Sequence, residues 1–155
     1  LNREKFLNYS INRWYNFVSS QAVESIFTSI EGVTGAENSK DKIKDFNLKG
    51  IDFDHKTSVF PKAFGHTLEY ALKNPKELIE WLYQHQSSQQ RQHFANRLFV
   101  IVYSKTGEHW KLKSDILWLK QLITKYVATF EVSQLQKLLF SSEKATYSDI
   151  IWAIK

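Results

Sequence analysis

Between Asp45 and Val59 the apolar residues stop recurring every three or four positions and begin to alternate. In "IKDFNLKGIDFDHKTSV" the residues Phe46, Leu48, Ile51, Phe53 and Val59 fit two strands joined at Lys49-Gly50, a two-residue loop with glycine second. Lysine is a poorer first residue for such a turn than Asn or Asp. The loop length implies one register, in which Leu48 faces Ile51, Phe46 faces Phe53, Asn47 faces Asp52 and Asp45 faces Asp54. Strand side chains alternate between faces, so Phe46, Leu48, Ile51 and Phe53 line the core side. Asp45, Asn47, Asp52, Asp54 and Lys56 line the other. A slip of one residue would mix the two sets, which pins the register.

The flanking segments predict the rest of an α/β domain. The opening third reads as helix, with Phe6, Leu7, Ile11, Trp14, Val18, Ala22, Val23, Ile26, Phe27 and Ile30 at helical spacing and a break expected near Ser19-Ser20. Glu31–Asp41 is turn-rich, with room for one short irregular strand. "NPKELIEWLYQHQ" announces a helix, with Asn74 as N-cap, Pro75 at the first helical position and Glu77 in the first turn. The run "RLFVIVYS" is apolar on both faces, as a central strand covered on both sides should be. "WKLKSDILWLKQLITKYV" is amphipathic, with Leu112, Ile116, Leu119, Leu122, Ile123 and Tyr126 on one side. The final "SDIIWAIK" fits either an edge strand or a short helix. Strand Ile51–Val59, the helix from Pro75 and strand Leu98–Tyr103 make one right-handed crossover unit. The expectation is a single domain over 1–155, a mixed central β-sheet with helices on both faces.

Composition narrows the classes. The 155 residues suffice for one core, and 43% hydrophobic with 24% charged residues is ordinary for a globular chain. The longest apolar run, "LFVIVY", is far short of the ~20 residues that span a bilayer, so no membrane partner is expected. "LNREKFLNYSINRW" lacks the apolar region of a signal peptide, and the absence of cysteine suits a reducing cytoplasm. The chain holds no Met, so its original start is expected outside this sequence. A net charge of +5 favours a polyanionic partner, although a solvated surface with spare lysines explains it equally well.

The outer face of the hairpin is where chemistry is expected. Asp45 and Asp54, directly opposite, would have Cβ atoms about 4.5–5.5 Å apart. Carboxylates so placed repel unless a cation lies between them or one is protonated. A hard ion such as Mg²⁺, which takes oxygen ligands, turns that repulsion into binding. Lys56, two positions after Asp54, could polarise water or stabilise charge on a phosphate. Two carboxylates, a metal and a lysine are a working set for phosphodiester hydrolysis. An acid-x-Lys triplet alone carries little weight; the chain holds one, Asp54-His55-Lys56, and its strand context matters more. The competing reading is a polar outer face with Lys56 neutralising acidic neighbours.

Helix, hairpin carrying Asp…Asp-x-Lys, helix and central strand together resemble the core of the PD-(D/E)xK nuclease superfamily, which includes many restriction endonucleases. "GIDFDHKTSVFPKAF", "NPKELIEWLYQHQSSQQR" and "NRLFVIVY" look like bacterial restriction-type members. The resemblance covers roughly residues 20–103 and implies a restriction endonuclease-like αβββαβ core, followed by a C-terminal helical extension over 104–155. It implies Asp45 as the first acid, Asp54 as the second and Lys56 as the lysine, with Glu24 of the first helix, or its rival Glu31, completing the metal shell. It further implies Mg²⁺-dependent cleavage of DNA, with Mn²⁺ able to substitute. No Pro precedes Asp45, and the spacing of nine between the acids is short for the family.

Arg91 and Arg97, at the helix-to-strand junction, are candidates for phosphate contacts, with Gln89, Gln90 and Gln92 reaching bases; a plain polar loop is the alternative. Lys62 is a candidate for a DNA-facing rim or an ordinary exposed lysine. His55 falls on the apolar side of its strand and reads as a hydrogen-bonded core residue. Trp81, Tyr83, Trp110 and Trp118 are more naturally core than base-stacking surfaces. The expected function is a Mg²⁺-dependent DNA endonuclease. The alternatives are an idle nucleic-acid-binding module on the same fold and a protein-interaction domain. A chain this short leaves little room for a separate specificity domain, so recognition is expected from loops and C-terminal helices or through a homodimer.

Overall fold

A long helix covers the apolar side of the hairpin. In the computed structural model, which describes residues 2–37, 44–85 and 94–155, α1 runs without a break from Arg3 to Thr28, and the side chain of Asn2 caps it by accepting the Glu4 N–H. The interruption expected at Ser19-Ser20 does not occur. Ser19 is buried in the helix, and serine costs a helix only a few tenths of a kcal/mol, ~0.5 relative to alanine. Of the apolar set, Val23, Ile26 and Phe27 are buried, whereas Phe6, Leu7, Ile11, Trp14 and Val18 remain exposed. Only the C-terminal half of α1 therefore belongs to the core.

Three strands follow as an antiparallel meander: β1 (Val33–Gly35), β2 (Phe46–Leu48) and β3 (Ile51–Val59). The register is the one the loop length implies, with Phe46 opposite Phe53, Asn47 opposite Asp52 and Leu48 opposite Ile51. Lys49 and Gly50 both have positive φ, 47° and 82°, as a tight hairpin turn demands. The strained lysine is held from outside, because its Nζ donates to the Phe130 carbonyl at 2.5 Å and lies 3.6 Å from Glu131.

A 3₁₀ turn (Lys62–Phe64) leads into α2 (Leu68–Lys73) and α3 (Pro75–Gln84). Asn74 does not cap α3 with its side chain. That side chain donates to the Tyr70 carbonyl and closes α2, a short helix that its weak pattern left unannounced. β4 (Arg97–Tyr103) then returns parallel to β3. The amphipathic segment is divided at Lys113–Asp115 into α4 (His109–Leu112) and α5 (Ile116–Thr129), and Asp115 caps the second by accepting the Trp118 N–H.

The last third corrects the expected helical extension. β5 (Gln136–Leu138) and β6 (Thr146–Ile154) enlarge the sheet to six strands in the order β1-β2-β3-β4-β6-β5. The "SDIIWAIK" segment is neither an edge strand nor a helix. β6 lies between β4, to which it is parallel, and β5, to which it is antiparallel. Ile150, Ile151 and Ala153 are buried on its two faces.

Helices cover both sides. Leu98, Val100 and Val102 of β4 pack with α1 and α5 through Phe27, Leu119 and Ile123. Phe99 and Ile101 point the other way, onto Leu78, Ile79 and Tyr83 of α3. Phe27 stacks on Phe46 at 4.3 Å between ring centroids, joining α1 to the hairpin. No helix among the described residues is long and apolar enough to cross a membrane. Truncating Phe27 to Ala should cost about 3–5 kcal/mol of stability in urea denaturation. Trp14→Ala, on the exposed half of α1, should change it by less than about 1 kcal/mol.

Candidate active site

The site forms where β2 and β3 part. The ladder ends at Phe46 and Phe53, after which the Asp45 N–H donates to the Phe53 carbonyl at 2.8 Å. Asp45 therefore does not face Asp54 across a rung. Its side chain turns along the edge of β3, where Oδ2 accepts the backbone N–H of His55 at 2.9 Å and lies 2.7 Å from the ring Nδ1. The other ring nitrogen is 3.1 Å from the Ser20 carbonyl of α1. His55 is thus a hydrogen-bonded interior residue, its side chain 2% exposed. Burial by itself would raise the Asp45 pKa. The hydrogen bonds and charge of His55, helped by Arg97, outweigh burial and hold the carboxyl below the usual aspartate value.

Asp54 is on the opposite face of β3, and the structure brings it to Arg97. By the parallel register these two are Cα partners, and the guanidinium donates from Nε at 2.7 Å and from NH2 at 2.8 Å to the two carboxylate oxygens. Both side chains are nearly enclosed, at 9% and 14% exposure. Arg97 also lies over the rings of Tyr83 and Phe99, at 5.3 and 5.6 Å. An arginine so buried and committed is not free to contact a phosphate, which corrects the expectation for it. Desolvation raises the Asp54 pKa above its ordinary value, Arg97 opposes this, and the charge of Asp45 adds to the rise. The two acids therefore feel each other's field without sharing a ladder rung.

Lys56 keeps to the surface, at one wall of a cleft of ≈ 360 Å³ between α1, the edge of β3 that is unpaired among the described residues, and Lys113. The cleft walls desolvate its ammonium and, with Arg97, push its pKa below the ordinary lysine value; Asp54 pulls the other way. Glu24 is half-buried on α1, one turn after Ser20, and it does not join the acids. Among the described residues no three His, Cys, Asp or Glu side chains converge closely enough to form a metal-binding group. Glu31 is exposed in the turn after α1. Lys62 is exposed beyond the end of β3, and about 16 Å of strand separates Asp54 from Val59 at ~3.3 Å per residue. Arg91, with Gln89, Gln90 and Gln92, lies outside the described residues. Tyr83 is core, Trp81 and Trp118 are half-buried, and Trp110 is exposed.

Asp45 and Asp54 are the carboxylates that could contribute to holding a hard ion. Asp45 Oδ1 has no hydrogen-bond partner among the described residues. Each Asp54 oxygen, having accepted one N–H, keeps a lone pair. Mg²⁺ commonly takes one or two carboxylates and completes its shell with water and substrate phosphate. Two members of the site escaped sequence reasoning. Arg97 as ion partner of Asp54 follows only from the β3–β4 register, and Lys113 sits in a helix break that amphipathicity hid. Comparison with protein-family models, with curated proteins and with solved structures finds no match to this chain.

Two stability measurements check these electrostatics. Arg97→Ala should cost about 3–5 kcal/mol near neutral pH, because it strands a buried carboxylate. That deficit should shrink in acid, since protonated Asp54 needs no counter-ion. For Asp45 the folded pKa is the depressed one. Its stabilisation is therefore present above the ordinary value of 3.8 and lost as pH falls through the lower folded value. Urea denaturation of Asp45→Asn against the parent chain should show a gap that closes over that acid range.

Proposed function

We propose that this chain is a Mg²⁺-dependent DNA endonuclease of the PD-(D/E)xK type, with Mn²⁺ able to substitute. One observation supports the reading: Asp54 lies within reach of the charges of both Asp45 and Lys56 near the point where β2 leaves β3, and Lys56 lines a cleft with Lys113. The succession α1, β1, β2, β3, α2, α3, β4, which is the αβββαβ order implied by the resemblance with α2 added, supports the reading. The net charge of +5 suits a polyanionic substrate.

In this reading Asp45 and Asp54 hold the ion. Mg²⁺, when bound, supplies Lewis acidity and neutralises charge on the phosphoryl oxygens. Lys56 orients the attacking water by donating from its ammonium, and its position two residues after Asp54 keeps it beside the phosphate. His55 fixes the Asp45 carboxylate by two contacts, so that acid is preorganised. Arg97 restrains Asp54 in the same manner and balances its charge before substrate arrives.

A second reading has one observation in its favour. Both oxygens of Asp54 are already engaged by Arg97, which would suit a DNA-binding module whose acids are idle. Plasmid cleavage across divalent metals separates the two. The nuclease reading expects nicking with Mg²⁺ or Mn²⁺ that Asp54→Asn abolishes. Lys56→Ala should lower the rate at least about a hundredfold, with DNA affinity changed less than about tenfold. Salt-dependent DNA binding without cleavage in any of these metals would sink the nuclease reading and leave the binding module.

A further inference from the structure

The cleft beside Lys56 holds more polar chemistry than hydrolysis of one phosphodiester requires. Its floor is β3 beyond His55, where the strand pairs with β4 on one side only. Among the described residues nothing continues the β2 ladder there. Peptide groups of a strand point alternately to its two edges, and the Asp54 N–H is bound on the β4 side. The N–H and C=O groups of Thr57 therefore point to the unpaired edge, as those of His55 do. One flank is α1, which contributes Asn16, Ser19 and Ser20. The other is Lys113, from the break between α4 and α5.

Two features mark this as a place for an anion. Lys113 is half-buried, and its ammonium has no acidic partner among the described residues. Its one polar contact there is the neutral Asn16 Oδ1, at 3.4 Å. Lys56 stands across the same space, so two cations face each other without a carboxylate between them. Desolvation, followed by the charge of Lys56, pushes the Lys113 pKa below the ordinary lysine value, as an uncompensated cationic pair should. Thr57 Oγ1, in the same wall, is enclosed and has no hydrogen-bond partner among the described residues.

We propose that this cleft binds a phosphate of the DNA backbone other than the one being hydrolysed, with Lys113 as its principal cation and Ser19 and Ser20 as neutral donors. The inference rests on the nucleic-acid part of the reading above and does not require the acids to be active. Lys56 remains directed at the scissile group, while Lys113 positions the strand.

Equilibrium binding of the full chain to a short DNA duplex, across a salt series without divalent metal, tests this. Lys113→Met keeps the aliphatic stem and removes the charge. It should weaken binding roughly tenfold near 0.1 M salt and reduce the slope of log K against log salt by about 0.9, the contribution of one phosphate contact. Lys113→Arg should restore both, and Lys137→Met, on an exposed strand distant in the sheet order, should leave the slope within error. A folded Lys113→Met variant with parental affinity and slope overturns the proposal. So does a parent chain that binds inorganic phosphate at constant ionic strength but no duplex. If the parent chain binds DNA with the expected slope but never cleaves it, the hydrolytic reading fails and the cleft stands. If it cleaves DNA and Lys113→Met changes nothing, the cleft fails and the nuclease stands.

Discussion

Everything notable about this molecule follows from β3 having two unequal edges. Towards β4 it pairs over six residue pairs, Asp54 to Val59; towards β2 it pairs over three, Ile51 to Phe53. A strand cannot lose a neighbour without leaving peptide groups to be satisfied. The first orphan is the His55 N–H, and Asp45, the residue at which β2 departs, turns its carboxylate to accept it. The next positions open onto the cleft. Strand divergence thus supplies both the anchored acid and the polar recess beside it, and α1 forms the far wall of that recess because the Phe27–Phe46 stack fixes the helix over the hairpin.

Much of this arrangement is legible in the sequence, and the boundary between what is and what is not has a physical cause. Alternation in "DFNLKGIDFD" reports the hairpin and its register, because a one-residue slip would bury Asn47 and Asp52 in place of Phe46, Leu48 and Phe53. The run Leu98–Val102 reports a strand buried on both faces for the same reason. The C-terminal strand is harder, since "SDIIWAIK" gains its place inside the sheet only through partners far away in the chain, Arg97–Tyr103 and Gln136–Leu138. Helical periodicity in α1 is genuine but overstates burial. Period reports which residues share a face, and Phe6, Leu7 and Trp14 share one that this chain leaves exposed.

The candidate site divides in the same way. Residue types and spacing single out Asp45, Asp54 and Lys56, and in the fold the charge of Asp54 is felt by Lys56 and that of Asp45 by Asp54. What spacing cannot reveal is how each acid is held. A regular ladder places Asp45 opposite Asp54. One displaced hydrogen bond, Asp45 N–H to the Phe53 carbonyl, instead sends the carboxylate to His55. Arg97 is forty-three positions from Asp54 in the chain and pairs with it only because a crossover helix sets the parallel register.

That ion pair changes the meaning of gathered acids. The opening expectation treats two close carboxylates as a repulsion that only an added cation can relieve. Here each acid already has a partner from the chain, His55 for Asp45 and Arg97 for Asp54. The carboxylates are thus held in place by the chain itself, and a divalent ion would have to add to an existing balance. Under the proposed nuclease reading, a phosphate on the Lys56 side of β3 would engage a cation that otherwise acts on Asp54 and so shift that balance. Ion and nucleic acid would then change each other's binding by one common factor, as linkage requires of any two ligands coupled through the same charges.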